Sequence, residues 1–141
     1  MNVSMTSKKL MLAEIIDSAI AAKTSAEAVA ILQGYDSVAL RSILNVGLNP
    51  NVNLALPEGN PPFTPSQFEQ ENQFRLFSEY RKLHYLVEPK ASELAPLNRE
   101  RIFIGLLESL PKEEAALLLR MKNKQLGIEP TIVREAFPGL L

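Results

Sequence analysis

Five of the ten prolines lie within residues 48–65, and they separate two stretches of the chain that have helical patterns. Proline lacks a backbone N–H and restricts the residue before it, so this segment is predicted to be extended and rich in turns. Its polar composition is interrupted by Leu54, Leu56 and Phe63. Because burying such a side chain is worth roughly 1.5–3 kcal/mol, we expect an ordered loop with Leu56 and Phe63 docked on the core.

Outside this segment, apolar residues recur at the spacing of one helix face, and no run alternates convincingly between apolar and polar residues. Serine and aspartate commonly cap helix N-termini, and glycine commonly follows helix C-termini. These signals set the predicted helix bounds before the loop. The three predicted helices are one capped by Ser7, one over residues 26–33 between Ser25 and Gly34, and one over residues 37–46 between Asp36 and Gly47.

The same reasoning predicts four helices after the loop. Ser66 and Glu69 have the spacing of a capping box, which indicates a long helix over residues 67–87 that Pro89 ends. Three shorter helices follow. They are predicted over residues 99–110 with Asn98 as the cap, from a first turn containing Pro111 to residue 125 with Gly127 beyond it, and over residues 131–137.

Together these patterns predict an all-α fold, a compact bundle of about six to seven short helices with a Pro-rich ordered loop. A chain of 141 residues fits one domain. We therefore expect a single helical domain over residues 1–141, with N-terminal helices in 1–47, the Pro-rich loop in 48–65 and C-terminal helices in 66–141.

Composition excludes several classes of function. The chain has no cysteine, which rules out disulfides, zinc–thiolate sites and thiol nucleophiles. Its 15 basic and 16 acidic residues leave a net charge of −1, which gives no overall attraction to nucleic acid or anionic lipid. No stretch approaches the roughly 18 apolar residues of a membrane span, and no signal-peptide core forms near the start. We therefore expect a cytoplasmic protein with no membrane association.

The residues that could support catalysis lack the partners that catalysis needs. His84 is the only histidine, and with no second histidine or cysteine it is interpreted as a partly buried helix residue. Glu113 and Glu114 are adjacent, so they point about 100° apart and fit the positive first turn of a helix. Glu69 and Glu71 lie near another predicted helix start. The sequence thus predicts no catalytic residue, no metal, no cofactor and no enzyme activity.

Two groups of basic residues could contact nucleic acid. The first interleaves with aromatic residues, and the second precedes a glycine and a short helix, an arrangement that permits a helix-turn-helix interpretation. However, the short helix is nearly uncharged, because Arg134 is followed by Glu135. Nucleic-acid binding is therefore not expected. The first group is Arg75, Arg81 and Lys82, and the second is Arg120, Lys122 and Lys124.

Several phrases of the chain, in order, resemble an uncharacterised family from tailed bacteriophages, mainly T4-like and marine myoviruses. Residues 56–63 are similar to its Leu-Pro-Glu-Gly-x-Pro-Pro-aromatic signature, and residues 98–108 to its Arg-Arg-Glu-x-x-Phe-Ile-x-Leu-Leu-Glu segment. Residues 80–87, 115–124 and 135–141 are similar to further segments of that family. The resemblance covers roughly residues 35–141 and leaves out the first predicted helix.

The chain departs from the family at two places. Asn98-Arg99 stands where the family usually has Arg-Arg, and Glu88-Pro89-Lys90 replaces a Gly-Gly pair after the long helix. The family has no established activity, so the resemblance implies no catalytic or binding residue. It implies a phage protein that acts in the bacterial host or in the phage particle.

Three functions remain open at this point. The first is a non-enzymatic phage accessory protein that binds another protein, of the host or of the phage, in host takeover or counter-defence. The second is a virion structural or assembly component. The third is a nucleic-acid-associated replication or transcription factor. These alternatives place the protein in the host cytoplasm or in the virion, and the sequence does not specify its oligomeric state.

A partner-binding surface is predicted where the turn of the Pro-rich loop adjoins the long helix. Rigid prolines present side chains at low entropic cost, and arginine is enriched among residues that contribute most to binding. The alternative is that the prolines only close the fold, or that Pro62-x-x-Pro65 is a polyproline ligand. The predicted partner-binding residues are Glu58, Asn60 and Phe63 of the turn and Arg75, Arg81 and Lys82 of the helix.

Overall fold

In the computed structural model, which describes residues 9–66 and 73–141, every regular element is a helix. The predicted all-α fold is therefore confirmed. Within those ranges, three helices precede the Pro-rich loop, and four α-helices and two 3-10 helices follow it. They are α1 (Leu12–Ala21), α2 (Ser25–Gly34), α3 (Val38–Leu48), α4 (Leu76–Glu79), the first 3-10 helix (Tyr80–Leu86), the second 3-10 helix (Lys90–Glu93), α5 (Pro96–Ser109), α6 (Lys112–Lys122) and α7 (Pro130–Ala136).

One hydrophobic core joins the helices on both sides of the loop. Helix α1 packs on α2 and α6, α3 packs on α6, and α5 packs on α6 and the first 3-10 helix. The last helix, α7, packs on α2, where the Gln33 side chain donates a hydrogen bond to the Ala136 carbonyl at 3.1 Å. The largest fully buried side chains include Leu12, Ile15, Ile16, Leu32, Leu40, Ile43, Leu44, Leu76, Leu86, Phe103, Leu106 and Leu107.

The N-terminal caps of α2 and α3 are each one residue away from the predicted positions. Thr24 caps α2 by accepting a hydrogen bond from the Glu27 N–H at 3.1 Å, so the predicted cap Ser25 is the first helical residue. Ser37 caps α3 by accepting from the Leu40 N–H at 3.0 Å. The predicted cap Asp36 was wrong because its carboxylate forms two 2.8 Å hydrogen bonds to Arg41 instead.

The N-terminus of α1 is capped differently from the prediction. Ser7 lies outside the described residues, and Met11 occupies the N-cap position. The Met11 N–H donates to Glu14 at 2.8 Å. Two further N–H groups at this helix start are bound by a glutamate from another helix, described below.

The long helix predicted over residues 67–87 is wrong in its second half. Residues 67–72 lie outside the described residues, and only Leu76–Glu79 is α-helical before the chain tightens into the first 3-10 helix. Leu83 and Leu86 are buried there, and a 3-10 helix places residues three apart on the same face. An α-helix also brings residues three apart to one face, so the apolar spacing in the sequence did not distinguish the two helix types. His84 is exposed, which corrects the expectation of partial burial.

The bounds of α5 and α6 also differ from the prediction. Helix α5 begins at Pro96, two residues before the predicted cap Asn98. A proline is favourable in the first turn of a helix, where its missing N–H is not needed. Pro111 occupies the N-cap position of α6 and is not part of its first turn. Helix α6 ends at Lys122, because Lys124 adopts a left-handed backbone with φ of 58°. Gly127, with φ of 87°, lies three residues beyond that turn.

Gly47 lies inside α3 and is not the helix stop that the sequence predicted. A Cβ atom added there would lie 2.3 Å from the Leu126 Cδ1 atom and 2.8 Å from its Cγ atom. Leu126 is only 1% exposed, so its side chain has little room to move. The glycine thus permits the close contact between α3 and the segment after α6.

Replacing Gly47 with alanine is expected to lower the unfolding free energy by about 1–2 kcal/mol through overpacking. Gly105→Ala is the matched control, because Gly105 lies in α5 and no atom is within 4 Å of its added Cβ. That variant is expected to raise the unfolding free energy by about 0.5–1 kcal/mol. Urea unfolding followed by circular dichroism measures both, and equal effects at the two positions would contradict the close packing at Gly47.

Candidate partner-binding surface

The Pro-rich loop is ordered and lies against the helices. Leu54, Leu56 and Phe63 are partly buried and pack on the hydrophobic core, which confirms the predicted docking. The loop backbone joins the first 3-10 helix through a 2.7 Å hydrogen bond from the Ala55 N–H to the Leu86 carbonyl. Its path is then determined by side chains of α5 and of the end of α6.

Lys124 connects the start of the loop to the end of α3. Its ammonium donates hydrogen bonds to the carbonyls of Val46, Asn49 and Val52, with 2.9 Å to the Asn49 oxygen. The Val46 and Asn49 carbonyls belong to the C-terminal turn and C-cap of α3, where a positive charge is favourable. Lys124 thus has a structural role in the first part of the loop.

The turn of the loop, residues 58–63, is supported by side chains of α5 and of the end of α6. The Lys122 ammonium donates to the Gly59 carbonyl at 2.8 Å, and the Asn123 side-chain amide donates to the Asn60 side chain at 2.8 Å. On the far side of the turn, the Thr64 N–H donates to the Glu108 carboxylate at 2.8 Å. Gly59 has a φ of 85°, a left-handed conformation that favours glycine at this turn.

Arg99 joins the loop to the second 3-10 helix. Its guanidinium donates to the Ala55 carbonyl at 2.9 Å, to the Ala91 carbonyl at 2.8 Å and to the Leu94 carbonyl at 2.6 Å. A planar guanidinium supplies several donors in a fixed geometry, which suits this role better than a lysine would. Sequence reasoning took Arg99 only as a helix residue. The available signal was that Asn98-Arg99 keeps the second arginine of the resembling family's Arg-Arg pair.

The basic residues of the helix-turn-helix interpretation are engaged within the protein. Arg120 donates to the Asp17 carboxylate at 3.0 Å and to the Leu126 carbonyl at 2.6 Å. Lys122 and Lys124 bind backbone carbonyls of the loop and of the end of α3, as described above. These three side chains therefore stabilise the fold, and Arg134 on α7 is the exposed basic residue that remains of that interpretation.

Three of the six predicted partner-binding residues, Glu58, Asn60 and Arg81, border two separate grooves. Arg81 lines a groove of about 260 Å³ with Ser42, Asn45, Tyr80 and His84, here called the Arg81 groove. The turn lines a second groove of about 290 Å³ against α5, called the turn cleft. Its lining residues are Leu56, Pro57, Glu58, Gly59, Asn60, Pro61 and Pro62 of the loop, Glu100, Phe103 and Ile104 of α5, and Lys122.

The loop passes between these grooves, since Val52 lines the Arg81 groove and residues 56–62 line the turn cleft. The structure thus places Arg81 in one groove and Glu58 and Asn60 in the other. Arg75, Lys82 and Phe63 line neither of the two. Lys82 is exposed and pairs with Glu79 at 2.7 Å, Arg75 is exposed, and Phe63 is partly used in core packing.

Glu114 is the buried charged group among the described residues, with 0% exposure. Its carboxylate, on α6, accepts hydrogen bonds from the Leu12 N–H at 3.0 Å and the Ala13 N–H at 3.2 Å. It therefore caps α1 in addition to occupying the first turn of its own helix, the position that the sequence predicted. Burial raises the pKa of Glu114 to about 7, although the two N–H groups act in the opposite direction.

Glu113 lies in the first turn of α6, as predicted, and its side chain is exposed. Within residues 9–66 and 73–141, no group of three or more histidine, cysteine, aspartate or glutamate side chains is arranged to hold a metal ion. Glu69 and Glu71 lie outside these ranges.

Among residues 9–66 and 73–141, no helix has the length and apolar character needed to cross a membrane.

Comparison with curated proteins gives no match. A family profile, described as a family of unknown function (DUF6433), matches residues 15–128. This match includes most of α1, which the sequence resemblance left out, and it ends before α7. The description names no activity. Because the match spans most of the 141 residues, the chain belongs to this family of unknown function, DUF6433.

Proposed function

We propose that this protein is a non-enzymatic accessory protein of a tailed bacteriophage that acts by binding another protein in the infected host. The binding would redirect a host machine or counter a defence system. The phage setting rests on the resemblance of five sequence segments, with residues 56–63 as the most distinctive. The protein-binding role rests on the construction of the Pro-rich loop.

The observation that carries the proposal is the rigid support of an exposed turn. Lys122, Asn123 and Glu108 hold the turn by 2.8 Å hydrogen bonds, and Arg99 holds the loop ahead of it. The side chain of Glu58 nevertheless stays exposed to solvent. A surface that is already ordered loses less conformational entropy when a partner binds, so rigidity of an exposed turn favours recognition.

The Arg81 groove supplies the second part of the proposed surface. Arg81 is exposed and, in the part of the chain that the structure describes, forms no ion pair; its guanidinium lies 5.9 Å from the Tyr80 ring. The exposed His84 lines the same groove. A carboxylate side chain of a partner would complement Arg81 here, and charge complementarity of this kind favours a specific protein partner.

The test is affinity purification of tagged protein from infected cells, combined with mass spectrometry of purified phage particles. We expect one host or phage protein to be recovered with the tagged chain and to be depleted with an Arg81→Glu variant. The matched control is Arg134→Glu, which makes the same charge change at an exposed residue on α7.

Two other outcomes would each identify one of the alternative functions. Stoichiometric copies in the particle, with no separate partner, would favour a virion component. Recovery that depends on nucleic acid and disappears after nuclease treatment would favour a replication or transcription factor. Equal recovery of the partner by both variants would contradict the role given to Arg81.

A further inference from the structure

The turn cleft has apolar walls on both sides. Leu56, Pro61 and Pro62 contribute the loop side, while Phe103 and Ile104 contribute the α5 side. The volume of about 290 Å³ is at the lower limit of the roughly 300–1,000 Å³ typical of small-molecule sites. The cleft therefore has room for one or two side chains of a partner and is too small for a large cofactor.

Glu100 brings a negative charge to this cleft. It lies three and four residues before Phe103 and Ile104 on α5, so the three side chains share one helix face. Glu100 is half-buried, and it makes no hydrogen bond or ion pair within the described ranges. The neighbouring Arg99 does not neutralise it, because the Arg99 guanidinium is directed to three backbone carbonyls.

The net charge of the residues that line the cleft is negative. Glu58 on the turn adds a second carboxylate, and Lys122 is the one cation among the lining residues. The Lys122 ammonium is already bonded to the Gly59 carbonyl at 2.8 Å. A half-buried carboxylate without a partner beside apolar walls favours an occupant with a positive charge and an apolar stem.

We propose that the turn cleft binds an arginine or lysine side chain of the partner protein, flanked by apolar residues. Glu100 receives the cation, and Ile104 and the prolines of the turn contact the alkyl stem. This inference rests on the proposed function, because the partner protein supplies the side chain. It gives the two grooves opposite specificities, with acidic side chains at Arg81 and basic side chains at Glu100.

The experiment titrates the full ¹⁵N-labelled chain with benzamidinium, a planar cation that carries an apolar phenyl ring. Amide chemical shifts are recorded by nuclear magnetic resonance. Benzoate has the same ring with a negative charge, and benzyl alcohol has it with none. We expect benzamidinium to shift the amides of Leu56, Gly59, Phe103 and Ile104 with a Kd of about 1 mM, the affinity range of such small fragments. Benzoate and benzyl alcohol are expected to bind more weakly.

Glu100→Gln should weaken benzamidinium binding about fivefold, as expected for loss of a partly exposed ion pair. The matched control is Glu113→Gln, which removes the same charge at the other end of α6, roughly 14 Å along the helix from Lys122. The control should bind benzamidinium like the unchanged chain.

The inference is overturned if benzoate binds as tightly as benzamidinium, if Glu100→Gln leaves the affinity unchanged, or if the cleft amides do not shift. Failure of the proposed function would look different. In that case benzamidinium would still bind at Glu100, but no protein would be recovered from infected cells. Conversely, an Arg81-dependent partner with no cation binding in the cleft would support the proposed function and reject this site.

Discussion

The contribution of Glu114 to the unfolding free energy is expected to fall by about 3 kcal/mol as the pH rises from 4.5 to about 7. The carboxyl group has a pKa of about 7 in the folded protein and about 4.5 when unfolded. Between these values the unfolded chain releases a proton that the folded protein retains. Stability from Glu114 is therefore complete below pH 4.5 and is lost as the pH passes 7.

The Glu114→Gln variant isolates this contribution, because other carboxylates titrate equally in both proteins. The carbonyl oxygen of a glutamine can accept a hydrogen bond from only one of the two N–H groups. Its own NH₂ group then faces the other N–H, and this unsatisfied donor costs about 1–3 kcal/mol. We therefore expect the variant to be less stable than the unchanged protein at low pH and at least as stable above pH 7. Urea unfolding across this pH range measures the difference.

Glu113→Gln is the control for this profile, since Glu113 is exposed in the same helix turn. It should keep the fall between pH 4.5 and 7, because burial is the main cause of the raised Glu114 pKa and the Glu113 charge is the smallest. If the profiles of Glu114→Gln and the unchanged protein remain parallel between pH 4.5 and 7, the buried carboxyl does not retain a proton in this range.

Arg99→Ala is expected to lower the unfolding free energy by about 3 kcal/mol at neutral pH. The substitution removes a charged donor from the carbonyls of Ala55, Ala91 and Leu94. Each such bond is worth roughly 1.5–3 kcal/mol, and water will replace part of what is lost because Arg99 is only half-buried. Urea unfolding gives the magnitude.

The same variant should also loosen the Pro-rich loop. Limited proteolysis is expected to cut between Leu54 and Pro65 faster than in the unchanged protein, because Arg99 holds the Ala55 carbonyl. Arg99→Lys should give an intermediate effect, since one ammonium cannot reproduce the planar guanidinium. Arg101→Ala, at an exposed neighbour on α5, should change stability by less than about 0.5 kcal/mol. Equal stability of Arg99→Ala and Arg101→Ala would contradict this role.

Local signals in the sequence were enough to predict most of the fold. Apolar residues at helical spacing located the helices, and the prolines of residues 48–65 located the loop between them. The docking of Leu56 followed from the cost of leaving a large apolar side chain in water. These features depend on neighbours in sequence or on burial alone, so a sequence contains the information that they require.

The errors arose where distant residues decide the local structure. Residues 80–86 form a 3-10 helix that buries Leu83 and Leu86 and packs on α3 and α5, and apolar spacing alone does not distinguish it from an α-helix. Glu114 binds N–H groups about one hundred positions earlier, and Lys124 binds carbonyls more than seventy positions earlier. No spacing rule reports such contacts, because each glutamate or lysine looks like an ordinary helix-end residue in the sequence.

The candidate site was predicted in part for the same reason. The turn was singled out by its unusual backbone, and the structure places Glu58 and Asn60 on a groove. Glu100 was missed because it lies in a regular helical segment with no distinctive neighbours in sequence. Its proposed role depends on the loop lying against α5, which is a tertiary contact.

The central claim is that the surface around Arg81 binds a partner protein. It is tested most directly by measuring the affinity of the purified partner for a variant in which the charges of this surface are reversed. The variant combines Arg81→Glu with Lys82→Glu, and the control combines Lys112→Glu with Arg134→Glu, four exposed residues in all. If this surface binds the partner protein, the Kd should rise about tenfold or more for the variant and change less than about twofold for the control. A normally folded Arg81→Glu, Lys82→Glu variant that binds its partner with unchanged Kd would contradict the account.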